Sequence, residues 1–185
     1  YSNEDKKTVA DAHTFADNSD GFCTVCGKGY KEPAQDVKGV YQISNAGQLY
    51  WFADKVNNDN ANYGSANAKL TADIVVNSDE NISSYNGTES VSWRPWTPIG
   101  NYSNRYTGTF NGQNYTISGL YFDNENQDYV GLFGYTILNA EIKNVGVINS
   151  FFSGKDNIGG ISGQNSGTIT NCYNTGSVNG DSYVG

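Results

Sequence analysis

Apolar residues recur with helical spacing in only one part of this chain. Leu49, Phe52, Ala53 and Val56 stand at i, i+3, i+4 and i+7 within "NAGQLYWFADKVNN". That spacing puts them on one face and predicts a helix over about 45–57, with Ser44 as its N-cap. Upstream, "GVYQI" (39–43) reads as a short strand; downstream, "AKLTADIVV" reads as a strand carrying Leu70 and Ile74. Residues 77–100 hold "WRPWTPIG", whose prolines exclude a central strand or helix interior, so the segment reads as an excursion between strands. From Tyr106 onward, short β-prone runs alternate with Gly/Asn turns.

These runs repeat. Ile117, Ile142 and Ile169 occupy matching places in "YTISGLYF", "EIKNVGV" and "TITNCYN", 25 and then 27 residues apart. Val130, Ile158 and Val184 follow at 28 and 26, within Tyr129-Val130-Gly131, Asn157-Ile158-Gly159 and Tyr183-Val184-Gly185. A near-fixed period of this size is the mark of a solenoid, whose units bury their apolar faces only against one another. With strands inside each unit, the predicted fold is mainly β, a parallel β-helix spanning residues 37–185, right-handed by the preference of parallel connections. Ile117, Ile142 and Ile169 are expected to form one internal ladder, and Leu120, Val145 and Cys172 the next. Such a stack exposes its end strands. The lone helix is therefore expected to cap the N-terminal end, while the final, incomplete repeat suggests a chain truncated from a longer array or an end that self-associates.

Composition supports strands. The chain has 22 Gly, 3 Pro and a 14% aromatic share, a mixture suited to short pleated segments joined by tight turns. The net charge of −8 argues against nucleic acid and against an anionic membrane surface. No apolar run approaches the length of a spanning helix, so membrane insertion is not expected.

Residues 1–36 differ in style. His13, Cys23 and Cys26 lie in "AHTFADNSDGFCTVCG", where two cysteines two residues apart can grip one side of a tetrahedral zinc ion. The stretch resembles degenerate zinc-ribbon-like segments of bacterial surface proteins; a Cys often stands two residues before the His there, and Asp11 holds that place here. Structural zinc is the expected cofactor. A Cys23–Cys26 disulfide and unligated flexible sequence are the alternatives.

Over residues 40 to 185 the chain resembles bacterial surface proteins with GLUG repeats. The likeness is carried by "ISNAGQLYWFADKVN", "AKLTADIVV", "WTPIG" with "YTGTFNGQNYTISGLYF", and "YVGLFG" with "NIGGISGQNSGTITNCYNTGSV". Those proteins are large, secreted or wall-anchored, and include adhesin-like proteins and immunoglobulin A1 peptidases of Gram-positive bacteria. The resemblance implies an extracellular, architectural or binding region and brings no catalytic motif.

Candidate chemistry is correspondingly thin. Cys172 falls on a predicted internal ladder and reads as a small hydrophobe rather than a nucleophile. The acidic "DNENQD" (123–128) reads as a solvated turn rather than a calcium loop. Asp73, Asp123, Glu125 and Asp128 could supply paired carboxylates, but their expected places at turns and strand ends do not favour glycoside hydrolysis. Trp93, Tyr102, Arg105 and Tyr106 are the candidate ligand-binding residues, because aromatic faces stack on sugars or fill interfaces. Trp96 and Ile99 are expected to pack inward. The reading is a non-enzymatic surface module that recognises a host glycoprotein, immunoglobulin or glycan. A structural stalk beside a peptidase and a carbohydrate-active β-helix enzyme are its rivals.

Overall fold

The computed structural model describes residues 20–25, 29–88 and 90–185. Strands β1 (Ala34–Gln35) and β2 (Tyr41–Ile43) precede helix α1 (Ala46–Asn58) and the one-turn helix α2 (Asn60–Tyr63). Next come β3 (Ala68–Leu70), β4 (Ile74–Val75), β5 (Thr109–Asn111), β6 (Thr116–Ser118), β7 (Tyr121–Asp123) and β8 (Phe133–Thr136). The chain continues through β9 (Glu141–Lys143), β10 (Gly146–Ile148), β11 (Phe151–Ser153), β12 (Asp156–Ile158) and β13 (Ser162–Asn165). It finishes with β14 (Thr168–Thr170), β15 (Tyr173–Asn174), β16 (Ser177–Asn179) and β17 (Ser182–Val184). The fold is mainly β and its sheets are parallel, apart from the β1–β2 pair.

Apart from the antiparallel β1–β2 pair, each ladder joins parallel strands well separated in the chain. One sheet runs β1-β2-β3-β5-β9-β14, a second β15-β10-β6-β4 and a third β16-β11-β7, while β12–β17 and β13–β8 form two-stranded ladders. The match of Val130, Ile158 and Val184 holds in register, Val130 bridging Ile158 and Ile158 pairing with Val184. The predicted Ile117–Ile142 ladder does not. Ile142 pairs with Phe110 and Ile169, whereas Ile117 pairs with Ile74 and Val147. Similarly, Tyr121 pairs with Phe151, which puts Leu120 level with Ser150 and not with Val145, whereas Val145 keeps its place beside Cys172, the Tyr173 N–H donating to the Val145 carbonyl. The cause is that the repeated letters fall on different sheets. Ile117 stands on β6, which pairs with β10, and Ile142 on β9, which pairs with β5. Likeness of sequence matches the second strand of one pair to the first strand of the other.

Left-handed residues recur at these turns. Tyr129, Asn157 and Tyr183 have φ of 62°, 61° and 55°, and Asn144 and Asn171 have 54° and 52°. Asparagine tolerates that region through its short side chain. Asn144 also donates to Asn111 Oδ1, and Asn171 to Asn144 Oδ1, each at 3.2 Å. At Gly119 (φ 74°) a side chain would strike the Asn77 backbone oxygen, so only glycine fits.

Helix α1 forms where the spacing predicts, but its N-cap is Asn45 rather than Ser44. Asn45 is extended and its Oδ1 accepts from the Gln48 N–H at 3.0 Å. Gln48 Oε1 reaches back to the Ser44 N–H and hydroxyl at 2.8 and 3.0 Å, a reciprocal cap set one residue wider than the usual box. Leu49, Phe52 and Val56 are fully buried. Phe52 meets Tyr106 and Phe110, and Phe133 packs on both of those rings. The helix thus covers inward side chains of several strands at once.

The supposed excursion is partly sheet. Pro95 bridges Tyr121, Ile99 bridges Phe133 and Tyr106 bridges Thr136, all in parallel. Proline is accommodated because each contact is an isolated bridge and Pro95 needs no N–H there. Trp96 and Ile99 are buried as expected, and Trp96 Nε1 donates to the Gly131 carbonyl at 3.0 Å. The Tyr50 hydroxyl of α1 donates to the Pro95 carbonyl at 2.8 Å. Phe22 and Tyr30, which bridge one another, pack against Tyr50.

Candidate functional site

The loop between Ile99 and Tyr106 is held by α1 from below. Asn57 does most of this: its Nδ2 donates to the Pro98 carbonyl at 2.9 Å, and its Oδ1 accepts from the Gly100 N–H at 2.9 Å. Asn104 Nδ2 donates to the Asn57 carbonyl at 2.6 Å, and Asn60 Nδ2 to the Arg105 carbonyl at 3.1 Å. The loop also ties itself, since Asn101 Oδ1 accepts from the Ser103 and Asn104 N–H groups at 3.0 and 2.9 Å. Amide side chains suit this work because each offers both donors and acceptor to backbone that lacks a sheet partner.

Tyr102 stands at the tip of this braced loop and is 61% exposed. Its ring stacks with Tyr129 (6.1 Å between centroids, 23° between planes) and meets Tyr135 edge-on at 6.0 Å. Tyr129 and Tyr135 touch at 5.1 Å. The Arg105 guanidinium lies 5.3 and 5.2 Å from the Tyr102 and Tyr135 ring centres, and its Nε donates to the Tyr102 carbonyl at 3.0 Å. Cation–π attraction and the Nε bond together restrict this side chain. Tyr102 separates two open grooves. The one beside Arg105 has a volume of about 560 Å³, and the one beside Tyr129, Gln127 and Asp128 about 350 Å³. A rigid aromatic plate flanked by a cation and amides can receive a ring that has an apolar face and polar edges.

The structure therefore brings Tyr102 and Arg105 together, and adds Tyr129 and Tyr135, which sequence reasoning missed as site residues. Their signal was partial: Tyr129 heads the repeated Tyr-Val-Gly element but has Asn157 as its counterpart, so an aromatic is not demanded there by the turn. Trp93 lies elsewhere. It packs with Tyr85 and Tyr121 at 5.3 and 5.2 Å, and its Nε1 donates to Asp79 Oδ2 at 3.3 Å. Tyr106 is corrected outright: it is fully buried, its hydroxyl donates to the Ala66 carbonyl at 2.9 Å, and burial pushes the phenol far above its ordinary pKa. Its N–H bonds the Tyr135 carbonyl in the sheet, which turns the side chain inward onto Phe52 and Phe133.

Of the zinc candidates, His13, Asp11 and Cys26 lie outside the described residues. Cys23 is buried and its N–H donates to the Gly29 carbonyl at 2.8 Å. Among the described residues no three His, Cys, Asp or Glu side chains are grouped to hold a metal. Cys172 is partly buried, with Sγ 3.3 Å from the Thr170 carbonyl oxygen, and desolvation raises its pKa. Asp73 Oδ1 accepts from the Thr116 N–H and hydroxyl at 2.7 and 3.0 Å, and Asp128 Oδ1 from the Asp156 N–H at 3.2 Å. Both carboxylates thus take part in backbone-positioning bonds.

No family model matches the chain, and no solved structure matches it. Among curated proteins it is similar to "Halomucin" of Haloquadratum walsbyi, 33% identical over 161 residues that make up 84% of this chain and 2% of that protein. It is also similar to a "Putative Gly-rich membrane protein" of Evansella cellulosilytica, 32% identical over 79 residues, 41% of this chain and 9% of that one. The chain therefore spans only a small fraction of either relative's length.

Proposed function

We propose that the parallel sheets are the faces of one right-handed β-helix of GLUG-type repeats, closed at its N-terminal end by α1. In this reading the chain is an extracellular, non-enzymatic recognition module of a large surface or secreted protein, and its target is a glycan carried on a host glycoprotein such as a mucin or an immunoglobulin. The observation that carries the reading is the exposed Tyr102 plate, braced by Asn57, Asn101 and Asn104 and stacked on Tyr129. Exposed aromatic rings cost solvation, and a loop this heavily bonded loses little entropy when a ligand settles on it. Two similarities are in keeping with a piece of a long surface protein: the small fraction of Halomucin covered and the membrane protein named in the second relative. Among the described residues no helix is long and apolar enough to cross a membrane.

Binding of the whole chain to immobilised glycans, mucins and immunoglobulins tests this, with turnover assays on the same polymers. Saturable binding without turnover is expected. Tyr102→Ala should weaken it at least tenfold, about 1.4 kcal/mol, while the chain stays folded, its stability falling by about 1 kcal/mol with the lost ring contacts. Silence across the panel would leave the structural stalk as the reading, and cleavage of any polymer would favour the enzyme.

A further inference from the structure

The groove on the Arg105 side of Tyr102 differs electrostatically from the others. Four further grooves among the described residues each include carboxylates in their walls: Asp79 in one, Asp128 in another, Asp54 in a third, and Asp36 with Glu141 in a fourth. The walls beside Arg105 are formed by neutral groups, including Ser65, Ser103 and Thr107, with Arg105 as their one charged residue. The two ion pairs among the described residues are Lys69–Asp36 and Lys143–Glu141, so no carboxylate there neutralises Arg105. Its Nε is committed to the Tyr102 carbonyl and its plane is held near two rings, but its Nη groups make no hydrogen bond among the described residues. On a chain of net charge −8, a positioned and unneutralised guanidinium beside an exposed aromatic plate is a specific arrangement. Guanidinium forks match planar carboxylates, and aromatic faces match the C–H faces of pyranose rings.

We infer that this groove takes an acidic sugar, a pyranose bearing a carboxylate, with its ring on Tyr102 and its carboxylate on the Arg105 Nη groups. Ser65 and Ser103 in the walls of the same groove offer hydroxyls to the sugar's own hydroxyls. Hexuronates and sialic acids share this chemistry. The inference rests on the recognition reading above, and deepens it by naming the ligand class.

Titration of the whole ¹⁵N-labelled chain with methyl glucuronide, its uncharged methyl ester, methyl glucoside, glucose 6-sulfate and methyl sialoside tests it. Methyl glucuronide or methyl sialoside should shift the amide signals of residues 101–107 and bind at least tenfold more tightly than the ester and the glucoside; which of the two acids binds better identifies the source. Because the ester is tried on unaltered protein, the comparison is free of folding effects. Arg105→Gln should lower affinity for the preferred acid about tenfold, and Arg105→Lys should recover only part of it, since an ammonium keeps the charge without the fork. Equal binding of acid, ester and glucoside at Tyr102 would overturn the acidic-sugar inference and leave glycan recognition standing. Tighter binding of the sulfate than of either acid would overturn the carboxylate assignment. No shift in residues 101–107 with any of these saccharides would overturn the inference, and glycan or glycoprotein binding by the whole chain in the array experiment would then show whether recognition survives elsewhere on the molecule.

Discussion

At the residue scale, asparagine does in this protein what sheet partners do elsewhere. Asn57 is nearly buried, yet both ends of its amide serve the backbone of the loop that carries Tyr102. Asn57→Ala would leave the Gly100 N–H and the Pro98 carbonyl without these partners. A loss of about 1–3 kcal/mol is expected from unsatisfied buried groups, read as a lowered denaturation midpoint, together with weaker glycan binding as the Tyr102 plate loosens. This role is invisible in the sequence, where Asn57 is one of several asparagines at the end of an amphipathic helix. Tyr102 and Arg105 were legible as candidates because aromatic and cationic residues in a polar loop stand out. Tyr106 looked the same, and only the sheet bridge to Thr136 turns it inward.

At the element scale, local chemistry places α1 and the turns, whereas the strands depend on what joins them. Asp36 shows how a turn is fastened to a neighbouring strand: its Oδ1 accepts from the Lys38 and Val40 N–H groups, and its Oδ2 pairs with Lys69 of β3 at 2.8 Å. The Lys69 bond, followed by those two N–H groups, holds the carboxyl well below its ordinary value of 3.8, at about 2. A depressed carboxyl contributes stability that is present above the unfolded-state pKa and lost as pH falls through the folded one. The stability difference between the wild type and Asp36→Asn should therefore be constant above pH about 5 and shrink between about 4 and 2, as followed by denaturant titration across that range. A constant difference down to pH 2 would contradict the assignment. The repeats themselves were visible at this scale, but their alignment was not. Similar letters recur on strands of different sheets, Ile117 on β6 and Ile142 on β9, so likeness of sequence does not say which strands lie side by side.

At the scale of the whole molecule, burial falls along the stacked strands. Ile142 and Ile158 are buried, but their register partners Ile169 and Val184 are 38% and 45% exposed. β14 to β17 each pair with a strand on one side only, whereas β5, β9 and β10 pair on both, so the former have fewer neighbours to bury them. Amide hydrogen exchange of this chain should therefore be slowest in β5, β9 and β10 and markedly faster in β14 to β17, because local opening follows buried contact. Uniform protection through β17 would mean that another surface covers those strands in solution, and dilution would identify self-association as the cause.

The sequence by itself determined the helix and the β-rich class. Each of these depends on short-range properties: apolar spacing, β-branched and aromatic preference for a pleated surface, and the tolerance of Asn and Gly for positive φ. The tertiary structure alone decided the register of the ladders, the inward turn of Tyr106, and the gathering of Tyr102, Tyr129, Tyr135 and Arg105. Those features depend on which strands lie side by side, and that is set by the summed lengths of intervening turns and by contacts among residues far apart in the chain. No single stretch of sequence contains that information.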